Sequence, residues 1–364
     1  MTLEHLQLDD DELTSLIVLG WDDAFLQRLP ATAHPGMPAR VIAQHRGHYI
    51  VAGARGEARA VLSGKLRYAG AEIPAVGDWV VVSRASDNDV ALITYVLPRH
   101  SALARKRPGS DTEAQTIAAN VDIVIIAAAL SAPINARRLE RYVATAWESG
   151  ATPLIVFTKR DLCGDVEGAM LTAVALAPGV DVIAVAAWSG DGLEQLGAHL
   201  PPRSTAVILG PSGVGKSTLV NALLGEEHLR THAVRRDGKG RHTTTHRELV
   251  RLPGGALLID TPGLRELGLW DADDGVAATF DDIETLARGC RFSDCRHVDE
   301  PGCAVVDAVR RGALDGDRVA SLHKMQRELA HLERKTDPRA AIEARSRAKS
   351  AQRALRDVLK RKGR

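Results

Sequence analysis

The chain has 364 residues, 45% hydrophobic and 26% charged, with a formal net charge of +1. At about 100–200 residues per domain it has room for two or three domains, and a charged fraction typical of globular proteins excludes wholesale disorder. No apolar run reaches the ~18–20 residues of a membrane helix; the longest, Val121 to Leu130, already contains Asp122. The N-terminus lacks the basic stretch of a secretory signal, and three of the four cysteines cluster between Cys290 and Cys303. A reducing cytoplasm is therefore expected, with no membrane partner and with metal rather than disulfides at those thiols.

Residues 1–36 form an acidic N-terminal extension with seven acids and one base, Arg28. Leu13, Leu16 and Ile17 have helical spacing, which Trp21 and Phe25 continue. From residue 37 to 108 the period changes. Arg40–Gln44, His48–Ala52, Glu57–Leu62, Asp78–Val82 and Ala91–Val96 are short β-prone segments separated by glycine or proline. Such spacing predicts a small closed barrel such as an OB-fold. Eleven basic residues, from Arg40 to Arg107, oppose five acids there. Tyr49, Tyr68, Trp79 and Tyr95 could stack on bases, although burial in the core is the simpler reading for most of them.

Residues 109–282 read as an α/β domain. Val121–Leu130, Thr152–Phe157, Val180–Val185, Thr205–Leu209 and Ala256–Ile259 are near-continuous apolar runs, as in a largely parallel sheet covered on both faces. Arg137–Ser149 and Lys216–Leu224 read as helices. Thr158-Lys159-Arg160-Asp161 follows one strand and resembles the Asn/Thr-Lys-x-Asp turn that reads guanine. A carboxylate there accepts from N1–H and the 2-amino group together, a donor pair adenine lacks. Ala186 and Ala187, after the next strand, occupy the place of a purine-supporting loop.

Gly210-Pro211-Ser212-Gly213-Val214-Gly215-Lys216-Ser217 matches the phosphate-loop pattern in full, with a strand before it and a helix from Thr218 after it. Backbone N–H groups would cradle phosphate, Lys216 would reach the β- and γ-phosphates, and Ser217 would ligate Mg²⁺. His242-Thr243-Thr244-Thr245 follows a glycine-rich approach and suits a switch loop. Thr244 is the expected Mg²⁺ ligand, with Thr243 and Thr245 as rivals. Asp260 ends a second strand before Thr261-Pro262-Gly263. Asp260 would hold Mg²⁺ through water, and the Gly263 N–H would sense the γ-phosphate.

Residues 283–364 begin with Cys290, Cys295, His297 and Cys303. Three thiolates and an imidazole suit one tetrahedral, structural Zn²⁺ with no open position. Leu322, Met325, Leu329 and Leu332 then form an amphipathic helical stripe. From Lys324 onward fourteen Lys or Arg face five acids, a basic helical tail suited to a polyanion.

Here the base-reading turn precedes the phosphate loop, the reverse of the usual order. These motifs, with Pro74-Ala-Val-Gly-Asp-Trp-Val80, resemble the ribosome small-subunit-dependent GTPase A (RsgA, YjeQ or EngC) family over nearly the whole chain. The resemblance implies three parts: an N-terminal OB-fold barrel, a central circularly permuted P-loop GTPase domain, and a C-terminal, mostly helical zinc-binding domain. It implies a protein that binds and hydrolyses GTP with Mg²⁺ as a late factor in maturation of the small ribosomal subunit; a monomer is expected. Its partners would be that subunit and its 16S rRNA, with turnover stimulated by the subunit. Thr158 stands where Asn is usual and Ala186 where Ser is common, departures that bear on guanine affinity more than on preference. Leu264 occupies the place where many GTPases keep a water-orienting Gln, so slow intrinsic turnover is expected. The resemblance makes His242 the catalytic candidate. The alternative is an RNA-binding protein that uses GTP occupancy as a signal with negligible turnover.

Overall fold

The computed structural model describes residues 8–29, 36–68, 72–84, 90–106, 114–225, 247–260, 276 and 279–336. The acidic extension folds into two short helices, α1 (Asp10–Ile17) and α2 (Asp23–Arg28). A capping box starts α1: the Asp9 carboxylate accepts the Glu12 N–H at 2.7 Å while the Glu12 carboxylate accepts the Asp9 N–H at 3.3 Å. Asp22 caps α2 through the Phe25 N–H at 2.9 Å. Leu16, Trp21, Phe25, Leu26 and Leu29 pack on Trp79, Val81 and Leu97 of the barrel.

The barrel consists of β1 (Met37–His45), β2 (His48–Gly53), β3 (Gly56–Leu62), β4 (Trp79–Arg84) and β5 (Val90–Val96), with a short α3 (Gly64–Tyr68) before β4. Strand order is β1-β2-β3-β5-β4, and β4 returns to β1, so the ring closes. Alternation along β4 explains its two partners: Val80 joins the barrel interior, whereas Trp79 and Val81 face the extension. Trp79 is fully buried and crosses Trp21 edge-on at 4.7 Å, so it is core rather than a stacking platform. Tyr49 is also buried, Tyr95 is half-buried, and Tyr68 is exposed.

Two arginines counted with the basic barrel surface point inward. Arg40 is 2% exposed. It donates to the Gly77 carbonyl at 3.2 Å, to the Thr205 hydroxyl at 2.8 Å, and to the Leu19 carbonyl. Burial lowers its pKa to about 10, against the pull of Asp122 and Asp78. Arg99 grips the buried Asp78 carboxylate with two contacts of 2.7 Å.

A hairpin that the sequence did not signal follows, β6 (Ala102–Lys106) against β7 (Ala114–Ala119). The α/β sheet then runs β10-β9-β8-β11-β13-β12, from β8 (Ile123–Ala129), β9 (Thr152–Thr158), β10 (Asp181–Ala184), β11 (Thr205–Leu209), β12 (Arg247–Arg251) and β13 (Leu257–Asp260). All neighbours are parallel except β12–β13. Two helices, α4 (Ala136–Glu148) and α5 (Val166–Leu176), cover one face; α6 (Leu193–Ala198) and α7 (Lys216–Leu224) cover the other. β12 also pairs with β1 through Ala43 and Gln44, which makes barrel and sheet one continuous eleven-stranded surface.

The C-terminal part contains α8 (Asp281–Ala287), α9 (Ala304–Arg310) and α10 (Gly316–Thr336). Phe280, Ile283, Cys303, Val305, Leu322, Met325 and Leu329 share a core with Ala144 of α4. The apolar stripe is thus internal packing for its first three members. No helix among the described residues is long and apolar enough to cross a membrane.

Candidate nucleotide site and metal centre

The phosphate loop leaves β11 at Gly210, whose φ of +149° and neighbours admit only glycine: a Cβ would stand 2.5 Å from the Ala127 carbonyl oxygen. Gly213 and Gly215 also take positive φ, and Gly215 leads directly into α7. Lys216, Ser217 and Thr218 form the first turn of that helix, where free N–H groups and the helix dipole favour an anion. Pro211, Ser212 and Val214 complete the loop, with Val214 buried beneath it. The Lys216 ammonium donates to the Gly210 and Pro211 carbonyls, each at 2.7 Å.

The base-reading turn docks on this loop although it lies more than fifty residues earlier in the chain. β9 and β11 both flank β8, which brings their C-terminal ends together. The buried Thr158 hydroxyl donates to the Val214 carbonyl, and the Lys159 ammonium donates to the Gly213 carbonyl at 2.9 Å. Lys159 has φ +59° and Arg160–Leu162 forms a 3₁₀ turn. Asp161 is exposed at that turn, and among the described residues nothing holds its carboxylate. Ala186 is buried, with Ala187 half-buried beside it. Asp191, which no motif marks, links the two base-side loops: its carbonyl accepts the Ala186 N–H at 2.9 Å and its carboxylate lies 3.3 Å from the Arg160 guanidinium.

Asp260 is the last residue of β13, beside the strand that carries the phosphate loop. His242, Thr243, Thr244, Thr245, Gly263 and Leu264 lie outside the described residues. A cavity of about 300 Å³ adjoins the loop on its α4 side, between Pro211–Val214 and Ser131, Ile134 and Arg138. Lys159 of the base-reading turn also lines it, whereas Asp161 and Lys216 do not.

The ligating atoms of Cys290, Cys295, His297 and Cys303 all lie within 4.8 Å of one another. His297 Nδ1 is 3.6 Å from the Cys290 sulfur and 3.5 Å from the Cys303 sulfur, and those sulfurs are 3.9 Å apart. Tetrahedral zinc, with Zn–S of ~2.3 Å and Zn–N of ~2.0–2.1 Å, requires about 3.8 Å between sulfurs and about 3.6 Å between sulfur and nitrogen. The four residues fit that ion. Burial and the Cys303 and Cys290 sulfurs push the Cys295 thiol up to about 12. Burial opposes ionisation of Cys290 too, but the Ala304 and Val305 N–H groups and the Cys295 and Cys303 thiols hold it below its ordinary value. His297 has φ +58°. Its turn is held by the Glu300 carboxylate, which accepts the N–H groups of Arg296 and Val298 at 2.9 Å and of Asp299 at 3.3 Å. These bonds, Val298 foremost, lower the Glu300 pKa to about 2.

A phosphate loop, a guanine-type turn ahead of it in sequence, and a parallel sheet that unites them define a circularly permuted P-loop GTPase. The model of the RsgA GTPase family matches residues 96–270, and one described as 50S ribosome-binding GTPase matches residues 205–340. A protein of Opitutus terrae named small ribosomal subunit biogenesis GTPase RsgA is 45% identical over 352 residues, covering 92% of this chain and 95% of its own. Its namesake in Streptomyces coelicolor is 45% identical over 337 residues, covering 91% of each. The crystal structure of YjeQ from Thermotoga maritima superposes with a TM-score of 0.61 at 26% identity, over 81% of this chain and 98% of that one. A structure described as YloQ, a circularly permuted GTPase, gives 0.60 at 24% identity over 83% and 97% and shares the fold. The chain belongs to the RsgA family of GTPases.

Proposed function

We propose that this chain hydrolyses GTP with Mg²⁺ as a late maturation factor of the small ribosomal subunit, acting in the cytoplasm as a monomer. The observation that carries the reading is the docking of the Thr158–Asp161 turn on the phosphate loop, which sets a guanine-reading carboxylate and a phosphate cradle on one sheet edge. Two carbonyls hold the Lys216 ammonium now, and an incoming phosphate is the stronger partner for that charge. Asp161 supplies preference for guanine, since an unpaired carboxylate opposes adenine. Bound Mg²⁺ would supply neutralisation of charge between the β- and γ-phosphates, with Ser217, Thr244 and Asp260 as its holders. His242 is the residue proposed to orient the attacking water, because Leu264 has no polar group for that task.

The division follows the sequence reading: extension 1–36, barrel 37–108, GTPase domain 109–282 and zinc-binding domain 283–364. One Zn²⁺ would hold the last of these together, and the barrel and basic tail would contact 16S rRNA phosphates. The names of the relatives support a small-subunit partner. The test is steady-state phosphate release from GTP, with ATP as control, alone and with small subunits, large subunits or free rRNA. Slow GTP turnover accelerated by small subunits alone is expected. Acceleration by large subunits, which the description of the second family model names, would reassign the partner. Negligible turnover in every mixture would leave nucleotide occupancy as the signal.

A further inference from the structure

A purine has two faces, and among the described residues of the base-reading turn Lys159 provides for one of them. Lys159 sits in the base-reading turn, where its methylene stem can lie along the base while its ammonium stays on the Gly213 carbonyl. The stretch between α7 and β12, residues 226–246, contains no Phe, Tyr or Trp. That stretch offers no indole or phenyl ring for the second face, only the smaller imidazoles of four histidines. The departures at Thr158 and Ala186 also remove amide and hydroxyl groups that usually brace such a pocket. Yet one large aromatic stands two residues beyond Ala186. Trp188 is 85% exposed, which leaves an indole in water where burial would be worth far more.

The loop that carries it is well fixed. The Ala186 carbonyl accepts the Ser189 and Gly190 N–H groups at 3.2 and 3.0 Å, and the Ala186 N–H is tied to Asp191. The Arg160 N–H donates to the Val185 carbonyl at 3.1 Å, and the Arg160 guanidinium pairs with Asp191. Trp188 is thus anchored at both ends to the turn that carries Asp161. Two residues of chain span at most ~7 Å, so its backbone cannot be far from the purine-supporting residue. The remaining tryptophans with described side chains are Trp21 and Trp79, both buried, and the half-buried Trp147.

We propose that Trp188 stacks on the open face of the bound guanine and supplies the affinity that the altered base-reading loops lack. The inference rests on the GTP-binding reading above. Stacking is tolerant of base identity, whereas hydrogen bonding to Asp161 is not. The two contributions therefore separate in experiment.

In the full-length protein, Trp188→Ala is expected to weaken GDP and inosine diphosphate binding by the same factor, roughly 5–150-fold. Trp188→Phe should recover most of that loss. GDP should quench the tryptophan emission of the wild-type protein and leave that of Trp188→Phe unchanged at saturation. Unaltered affinity in Trp188→Ala, unequal factors for the two nucleotides, or quenching that persists in Trp188→Phe would overturn the proposal. Asp161→Asn supplies the independent arm. A carboxamide donates to the C2 carbonyl of xanthine, so this variant should come to prefer xanthosine diphosphate over GDP. If that switch occurs while Trp188→Ala is silent, the base site stands and the stacking role alone falls. If the switch fails, the base is not read at Asp161 and the stacking proposal falls with it.

Discussion

Thr158 shows how one side chain can join motifs that sequence order keeps apart. Its hydroxyl donates to the Val214 carbonyl and lies 3.3 Å from the Ala128 carbonyl, at 2% exposure. Thr158→Val keeps the shape and removes the donor, so the buried Val214 carbonyl loses its partner at a cost of ~1–3 kcal/mol. Part of that cost should appear as a looser phosphate loop. The expected outcome is about a tenfold rise in the dissociation constant for GDP, with Thr158→Asn near the wild type; titration calorimetry reads both. Equal affinity in Thr158→Val would mean that backbone packing alone holds the turn on the loop. The role of Thr158 was legible because its motif fixes it beside Asp161. Asp191 was illegible, since nothing local marks an Asp on a surface turn as the partner of an Arg thirty-one residues away.

The secondary structure was legible wherever one periodicity ruled. All five barrel segments and all five apolar runs became strands, and the helices Arg137–Ser149 and Lys216–Leu224 formed within a residue or so of their expected limits. The hairpin β6–β7 escaped because Ala102–Lys106 and Ala114–Ala119 are alanine-rich or basic, and its pairing rests on tertiary contacts such as Val76 against Ala118. The Cys/His cluster was legible from the spacing of its four residues. What the spacing did not reveal is that Cys303 both caps α9, accepting the Val306 N–H at 3.4 Å, and sits in the core with Ile283 and Val305. Ligand and core are thus coupled. Removal of zinc with a strong chelator is expected to abolish hydrogen-exchange protection in α8 and α9, while β8, β9 and β11 keep theirs. Protection that persists in α9 of the chelated protein, with metal release verified by atomic absorption, would show that the apolar core suffices without the ion.

Across the whole molecule, two buried arginines bind parts that sequence reading treated as separate. Arg40 ties the extension, the barrel and the first residue of β11 together. Arg318 of α10 donates to Asp282 with two contacts of 2.8 Å, to the Thr279 carbonyl at 2.8 Å, and to Glu140 of α4 at 3.1 Å. The C-terminal core is therefore locked to the helix whose N-terminal turn flanks the cavity beside the phosphate loop. Neither role could be read from the sequence, because a buried Arg and a surface Arg look alike in a charge count. Glu140 makes this junction testable. Burial raises its pKa, against the pull of Ser321 and Arg318, and its second carboxylate oxygen has no hydrogen-bond partner. An acid whose folded pKa is raised contributes stability that is fully present below its unfolded value, ~4.3, and is lost as pH rises through the folded value. Glu140→Gln removes that contribution. The melting-temperature advantage of the wild type over Glu140→Gln should be greatest near pH 4 and should narrow toward pH 7. Acid effects on the metal ligands act on both proteins and cancel in the difference. An advantage that widens with pH would mean that the ionised Glu140–Arg318 pair stabilises the junction and outweighs the cost of burying the carboxylate.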